Sequence, residues 1–502
     1  MRRIFSRRRF GGIDTVQMNP GADAAVQATS ISKFYKTVFV SLFVCILPAS
    51  LLLALGKATF AGLYFWGAFA LLFFRYGVAG KTLDLLTLTI AVSPFANMVR
   101  SFSPAYILPT MLLLAALVLH GFRSESGETM WGILTRYRFA LGVFLFSLLY
   151  YAFSLIFTGE YQINLRFFEF FFAVVIILIL AQTRVRLSGA LLGMGVCAWV
   201  VGMSMLPYVT STSAERLGVI VVEGRHLGNP VALGVPLAIF FIALLVDQGR
   251  WVGLEKRLVL RFSLLLPTVA LLGLTSSRGS WLVVASAIVL TLVLGKRSRM
   301  AIVASVVLTA IAVLLLLATP YGEFLQKGYE RTFAGEQSAD RRTTGRSGQW
   351  VLGYYLFTSS PDRLLFGYGP GLGPDIYARY SSELQGATFA VGERMAWHSL
   401  YLQVAVEAGL AGLGPVVVWL ILALVRILFW TRRAGVIFPL TCFVGYMMIT
   451  LTVSGQDTNA GVLVGIGLLG TVRIPIDRRV YSRPPRLPIR RQGTIASPQT
   501  RL

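Results

Sequence analysis

The sequence predicts an all-α polytopic membrane protein of about fourteen transmembrane helices with one long loop on the outer side. Three observations predict it. The chain has 502 residues, of which 56% are hydrophobic and 14% charged, whereas a soluble domain is about a quarter charged. With a mean hydropathy of +0.70, it carries too few charges to clothe a water-facing surface. Apolar runs long enough for a bilayer core about 30 Å thick recur from Phe39 to Val472. Finally, Lys and Arg gather in the tails and in alternate short connections, the positive-inside pattern.

Taken in order, the chain opens on Met1–Phe10 with five Arg in ten residues. No apolar run follows at once and no cleavage site is evident, so residues 1–37 read as a retained basic cytoplasmic arm, not a signal peptide. The expected spans are 38–56, 58–75, 83–99, 102–120, 138–157, 166–184, 187–206, 229–247, 259–275, 279–296, 300–319, 411–430, 435–453 and 457–473. The first eleven fill residues 38–319. Residues 320–397 form the long outer loop, and 398–473 a re-entry segment with the last helices. Residues 474–502 form a basic, proline-rich tail suited to anionic headgroups, which places both termini inside. The inner connections then hold Arg75 and Lys81, Arg136 and Arg138, Arg184 and Arg186, Arg250 to Arg257, Lys296 to Arg299, and Arg432 to Arg433.

The formal net charge of +24 would suggest nucleic acid in a soluble protein. Here the charge tracks topology, so no nucleic-acid partner is expected; membrane lipids are. Cys45, Cys197 and Cys442 stand in apolar runs without metal-ligand spacing and imply neither disulfides nor a metal site. Gly189, Gly193 and Gly195 allow close helix packing.

Arginines on the outer side run against the positive-inside bias and require another reason. Arg225 lies in Glu223-Gly-Arg-His-Leu-Gly-Asn-Pro230, where Asn229 or Pro230 opens a membrane helix. Arg278 lies in Thr275-Ser-Ser-Arg-Gly-Ser-Trp281, pinned between two apolar spans. Arg346 lies in Thr344-Gly-Arg-Ser-Gly-Gln-Trp350 of the long loop. A guanidinium presents a fixed fork of donors to phosphate oxygens, and helix N-termini add backbone N–H groups, so the three suit a diphosphate or glycan. The competing reading is that each arginine snorkels to headgroups.

His398, at the end of the loop, opens His398-Ser-Leu-Tyr-Leu-Gln-Val-Ala-Val-Glu-Ala-Gly409. An imidazole at the outer membrane edge is suited to take a proton from a sugar hydroxyl near neutral pH. Glu407, a little over two helical turns on, reads as a polar anchor of the re-entry. Glu169 is spaced to pair with Arg166 on one helix. Phe366-Gly-Tyr-Gly-Pro-Gly-Leu-Gly373 lacks the strand and helix of a phosphate loop and reads as a turn.

The combination resembles the O-antigen ligase and O-antigen polymerase superfamily of bacterial envelope proteins. Four pieces carry the resemblance in chain order: Ser277-Arg278-Gly279 leading into Ser280-Trp281-Leu282; Gly345-Arg346 with Trp350; Leu365-Phe366-Gly367-Tyr368-Gly369; and His398-Ser399-Leu400-Tyr401-Leu402, continued by Val406-Glu407-Ala408-Gly409-Leu410. The resemblance implies an inner-membrane glycosyltransferase that takes a glycan from an undecaprenyl-diphosphate carrier at the periplasmic face and joins it to an acceptor glycan or lipid-linked acceptor. It implies Arg278 and Arg225 as diphosphate contacts, Arg346 as a contact to diphosphate or sugar, and His398 as the base, with no metal and no cofactor required. Ser399 stands where many relatives have Asn after the His.

Polymerisation of an extracellular polysaccharide or O-antigen is placed ahead of O-antigen ligation to lipid A core. The rival from another class is a lipid-linked glycan flippase or transporter, but such proteins place ionisable groups near the midplane in repeated halves. Here they crowd one face beside a long loop.

Overall fold

The computed structural model describes residues 20–99, 108–123, 130–158, 165–211, 217, 220–222, 225–227, 229–255, 257–295, 346–382, 392–395, 397–452 and 457–471, with isolated positions from 303 to 326. The described chain is helical apart from one short hairpin. Its helices are α1 (Pro20–Ala54), α2 (Ala58–Val78), α3 (Thr82–Val99), α4 (Leu108–Arg123), α5 (Met130–Arg136), α6 (Arg138–Thr158), α7 (Leu165–Leu180) and α8 (Arg184–Ser211). The strands β1 (Ile220–Val222) and β2 (Arg225–Leu227) pair antiparallel. After them come α9 (Pro230–Leu245), a 3-10 turn (Val246–Val252), α10 (Leu258–Thr275) and α11 (Arg278–Leu294). The loop region holds α12 (Arg346–Phe357), α13 (Pro361–Phe366) and α14 (Gly373–Ser381). The chain then runs through α15 (Leu400–Ala434), α16 (Phe438–Ile449) and α17 (Thr458–Leu468).

Among the described residues, seven helices are long and apolar enough to cross a membrane: Phe34–Ala54, Ala58–Val78, Thr82–Val99, Arg138–Thr158, Arg184–Tyr208, Leu258–Thr275 and Leu400–Ala434. Six shorter apolar helices accompany them. Every expected span except 300–319 coincides with one of these helices, and most of 300–319 lies outside the described residues. The basic arm overlaps a helix, since α1 begins at Pro20 and turns apolar from Phe34. Leu51, Leu71, Phe74, Ile156, Val293 and Leu422 face outward, an arrangement that suits acyl chains.

Small residues set the packing. Gly193 lies against Ala91 and Leu42, and Gly195 against the Phe240 ring, so α8 sits close to α1, α3 and α9. Gly461 rests on Phe170 and Ala173, and Gly445 on Val283. In lipid the gain is dispersion and close backbone approach, since tails are as apolar as leucine.

The described basic connections around Arg184, Arg186 and Arg250 gather at one end of the bundle. Arg184 pairs with Glu255 at 2.5 Å and donates to the Arg250 carbonyl at 3.3 Å. Arg186 pairs with Asp84 at 3.5 Å. Asp247 accepts from the backbone N–H of Ile437 and Phe438, both at 3.2 Å, and from the Trp251 indole at 2.8 Å. Connections predicted to share a side are thus joined to one another.

Two buried acidic residues tie distant segments together. Glu169 is buried and accepts from Thr110 Oγ1 at 3.2 Å, Thr458 N at 3.2 Å and Thr458 Oγ1 at 2.5 Å, tying α4, α7 and α17 together. The Arg166 side chain lies outside the described residues. Glu407 takes a larger role, described below.

Candidate active site

The turn that carries Arg278 lies at the end opposite those basic connections. Between α10 and α11 the chain turns in two residues, Ser276 in the left-handed region (φ 46°) and Ser277 extended ahead of the helix. Local hydroxyls fix this turn: Thr275 Oγ1 donates to the Leu272 carbonyl at 2.7 Å and accepts from Ser277 N at 3.3 Å, and the hydroxyls of Ser277 and Ser280 pair at 2.9 Å. Arg278 is therefore the first residue of α11, half-buried, on a turn with no slack.

Neighbouring helices clamp that turn. Gly234 of α9 leaves room for Ser277 and Ser280, where any side chain would collide. A Cβ on Gly279 would stand 3.1 Å from both Ile449 Cγ1 and Thr452 Oγ1, at the end of α16. The α9 helix opens as predicted, with Pro230 in its first turn and Asn229 Oδ1 accepting from Val231 N at 2.9 Å. Ahead of the hairpin, Leu217 N donates to the Leu274 carbonyl at 2.9 Å, which starts the Arg225 segment beside the Arg278 turn. Arg225 is described by its backbone in β2 and Arg346 by its backbone at the head of α12, while both side chains lie outside the described residues.

The His398 segment meets the end of α16 as well. His398 is half-buried, between the fully buried Trp397 and Ser399, whose Oγ caps α15 by accepting from Leu402 N at 3.4 Å. Leu400 N donates to the Thr450 carbonyl at 3.0 Å, and Thr450 Oγ1 donates to Tyr401 Oη at 3.1 Å. The Ile449–Thr452 turn thus touches Gly279 on one face and Leu400 on the other. One backbone turn joins the Arg278 and His398 segments.

A second feature, read from sequence as two unrelated ones, is a single device. The Gly367–Gly373 stretch wraps the carboxylate of Glu407, whose side chain is wholly buried. Gly371 N donates to Glu407 Oε2 at 2.8 Å, and Gly373 N and Gln403 Nε2 donate to Oε1 at 3.1 and 3.2 Å. Tyr368 N and Gly369 N donate to the carbonyls of Val406 and Glu407 at 2.9 and 2.8 Å. Gly367, Gly369 and Gly371 have φ of 69°, 123° and 86°, and a Cβ on Gly367 would lie 2.5 Å from the Glu407 carbonyl carbon. The Trp397 indole N–H then donates to the Gly373 carbonyl at 3.1 Å. Glu407 therefore holds the glycine loop, the loop holds Trp397, and Trp397 fixes the approach to His398. The signal available in the sequence was the carboxylate itself, since a buried charge requires donors and glycines are where backbone donors come closest.

The expected long loop carries its own helical layer. Leu352, Leu356, Ile376, Tyr377, Trp397 and Val406 form an apolar cluster between α12, α14 and the first part of α15. Gly409, with φ 60° and ψ −159°, breaks α15, so the re-entry segment and the span beyond it meet at a kink.

Residues 262–417 match the family model described as O-Antigen ligase. The matched stretch contains Arg278, Arg346, the glycine loop, His398 and Glu407, while Arg225 and the Ile449–Thr452 turn lie outside it. No curated protein matches the chain.

Proposed function

We propose, from a family match that supports the O-antigen ligase and polymerase superfamily in a multi-pass helical chain, that this protein is a membrane glycosyltransferase. In this reading it moves a glycan from an undecaprenyl-diphosphate carrier to an acceptor hydroxyl at the periplasmic face of the bacterial inner membrane and polymerises a surface polysaccharide. The observation that carries the reading is the turn shared by the Arg278 and His398 segments, because the reaction needs a fixed cation and a base at one place.

The acceptor oxygen attacks the anomeric carbon of the lipid-linked sugar while its proton passes to the His398 imidazole. The bond from that carbon to the phosphate oxygen breaks, and its electron pair leaves with the lipid diphosphate. Arg278, with Arg225 and Arg346, neutralises the charge gathering on the diphosphate, so the leaving group departs without a proton. The rigid turn around Arg278 supports this role, since preorganised charge costs no rearrangement as the bond breaks.

The test uses purified full-length protein and an undecaprenyl-diphosphate-linked repeat unit from its own host, comparing wild type with His398→Ala. Longer glycans and free lipid diphosphate from wild type alone support polymerisation. Diphosphate release only when a lipid A core acceptor is added supports ligation. Folded wild type that yields neither product rejects the transferase reading in favour of a flippase or transporter.

A further inference from the structure

We infer that Gln349 binds sugar hydroxyls of the transferred glycan, an inference that rests on the transferase reading and assigns a residue it does not use. Gln349 is 1% exposed, and neither its Oε1 nor its Nε2 has a hydrogen-bond partner. A buried amide left unpaired is a standing cost to the fold, and an apolar side chain of similar shape would avoid it. Its neighbours on the same face of α12, Leu352, Gly353 and Leu356, show what packing alone selects there.

The register of the helices places this amide. A Cβ on Gly353 would stand 2.6 Å from Leu402, Leu356 shares its cluster with Val406, and the Leu365 backbone abuts Gly409. The contacts advance in step along α12–α13 and the start of α15. One turn back from Gly353, about 5.4 Å along the helix, the register points Gln349 towards the N-terminal end of α15, which Ser399 caps. An amide, which sets an acceptor beside a donor, suits hydroxyls, which both give and take hydrogen bonds, whereas phosphate oxygens only accept and are matched by arginines.

The experiment compares full-length wild type, Gln349→Leu, Gln349→Met and His398→Ala with the undecaprenyl-diphosphate-linked repeat of the host, reading kcat, KM and Tm. The expected result is a fall in kcat/KM of tenfold or more, carried mainly by KM, with Tm unchanged or raised in both Gln349 variants. Transfer within twofold of wild type overturns the inference, as does loss of transfer together with a lowered Tm in both variants. If His398→Ala is silent while wild type and Gln349→Leu are equally active, only the Gln349 assignment fails; a wild type that transfers nothing removes the parent reading as well.

Discussion

Glu407→Gln isolates the device that organises the loop. The change keeps the shape of the side chain and turns one acceptor oxygen into an N–H₂ donor. Whichever way the amide sits, a donor then faces a donor: Gly371 N in one orientation, Gly373 N and Gln403 Nε2 in the other. At least one hydrogen bond to a buried carboxylate is lost, at about 1.5–3 kcal/mol, and the freed backbone N–H stays buried. Taking about 2 kcal/mol from within that range, opening of the glycine loop becomes roughly thirtyfold easier. Hydrogen exchange at Gly371 and Gly373 in the full-length protein reads this directly, and the accompanying release of Trp397 lowers transfer. Exchange within threefold of wild type, with transfer intact, would refute the idea that the carboxylate holds the loop. Glu407→Ala orphans all three donors, at about 1–3 kcal/mol each, and is expected to lower Tm sharply.

Arg278→Ala is expected to lower transfer at least a hundredfold, the scale for removing one preorganised charge partner, with Arg278→Lys recovering part of it as a point charge without the fork; equal activity in all three proteins would remove Arg278 from the site. At the basic end, burial raises the Asp247 carboxyl above the usual range, against the lowering effect of its N–H partners. The folded chain therefore holds that proton more tightly than the unfolded chain. The stabilisation from this group is complete below about pH 3.9 and is lost as pH rises through the raised value. Asp247→Asn should flatten that slope in thermal melts across pH and leave transfer unchanged, and an identical slope would reject the assignment. Sidedness is tested with an impermeant maleimide on intact cells. Cysteine at Glu393 should label and cysteine at Gln182 should not, with little background from the buried Cys45, Cys197 and Cys442; the reverse pattern would invert the topology.

Much of the scaffold was legible because hydropathy and caps are local signals. Asn229 and Pro230 opening α9, and Arg278 heading α11, follow from residues adjacent in the chain. The site was legible in part: the sequence points to Arg278 and His398, but their common support is a backbone turn at Ile449–Thr452 whose side chains advertise no chemistry. The Glu407 device was missed for the same reason. Its partners are peptide N–H groups from a segment far away in sequence, and peptide groups leave no mark in side-chain patterns. The loop's own helices were hidden too, since α12 to α14 are short and pack around shared apolar residues.

The break at Gly409 has an engineering consequence. The helix ahead of it ends inside the protein, where its last carbonyls have no water, and the stretch from Tyr368 to Gly369 supplies their donors while Gly371 and Gly373 serve the carboxylate. Residues 365–373 and 403–409 are consequently one interchangeable part in two pieces. A chimera that imports either piece alone inherits donors without acceptors or acceptors without donors, whereas one that imports both keeps those pairs and still depends on Trp397 and on Tyr150, Ser154 and Phe157 of α6.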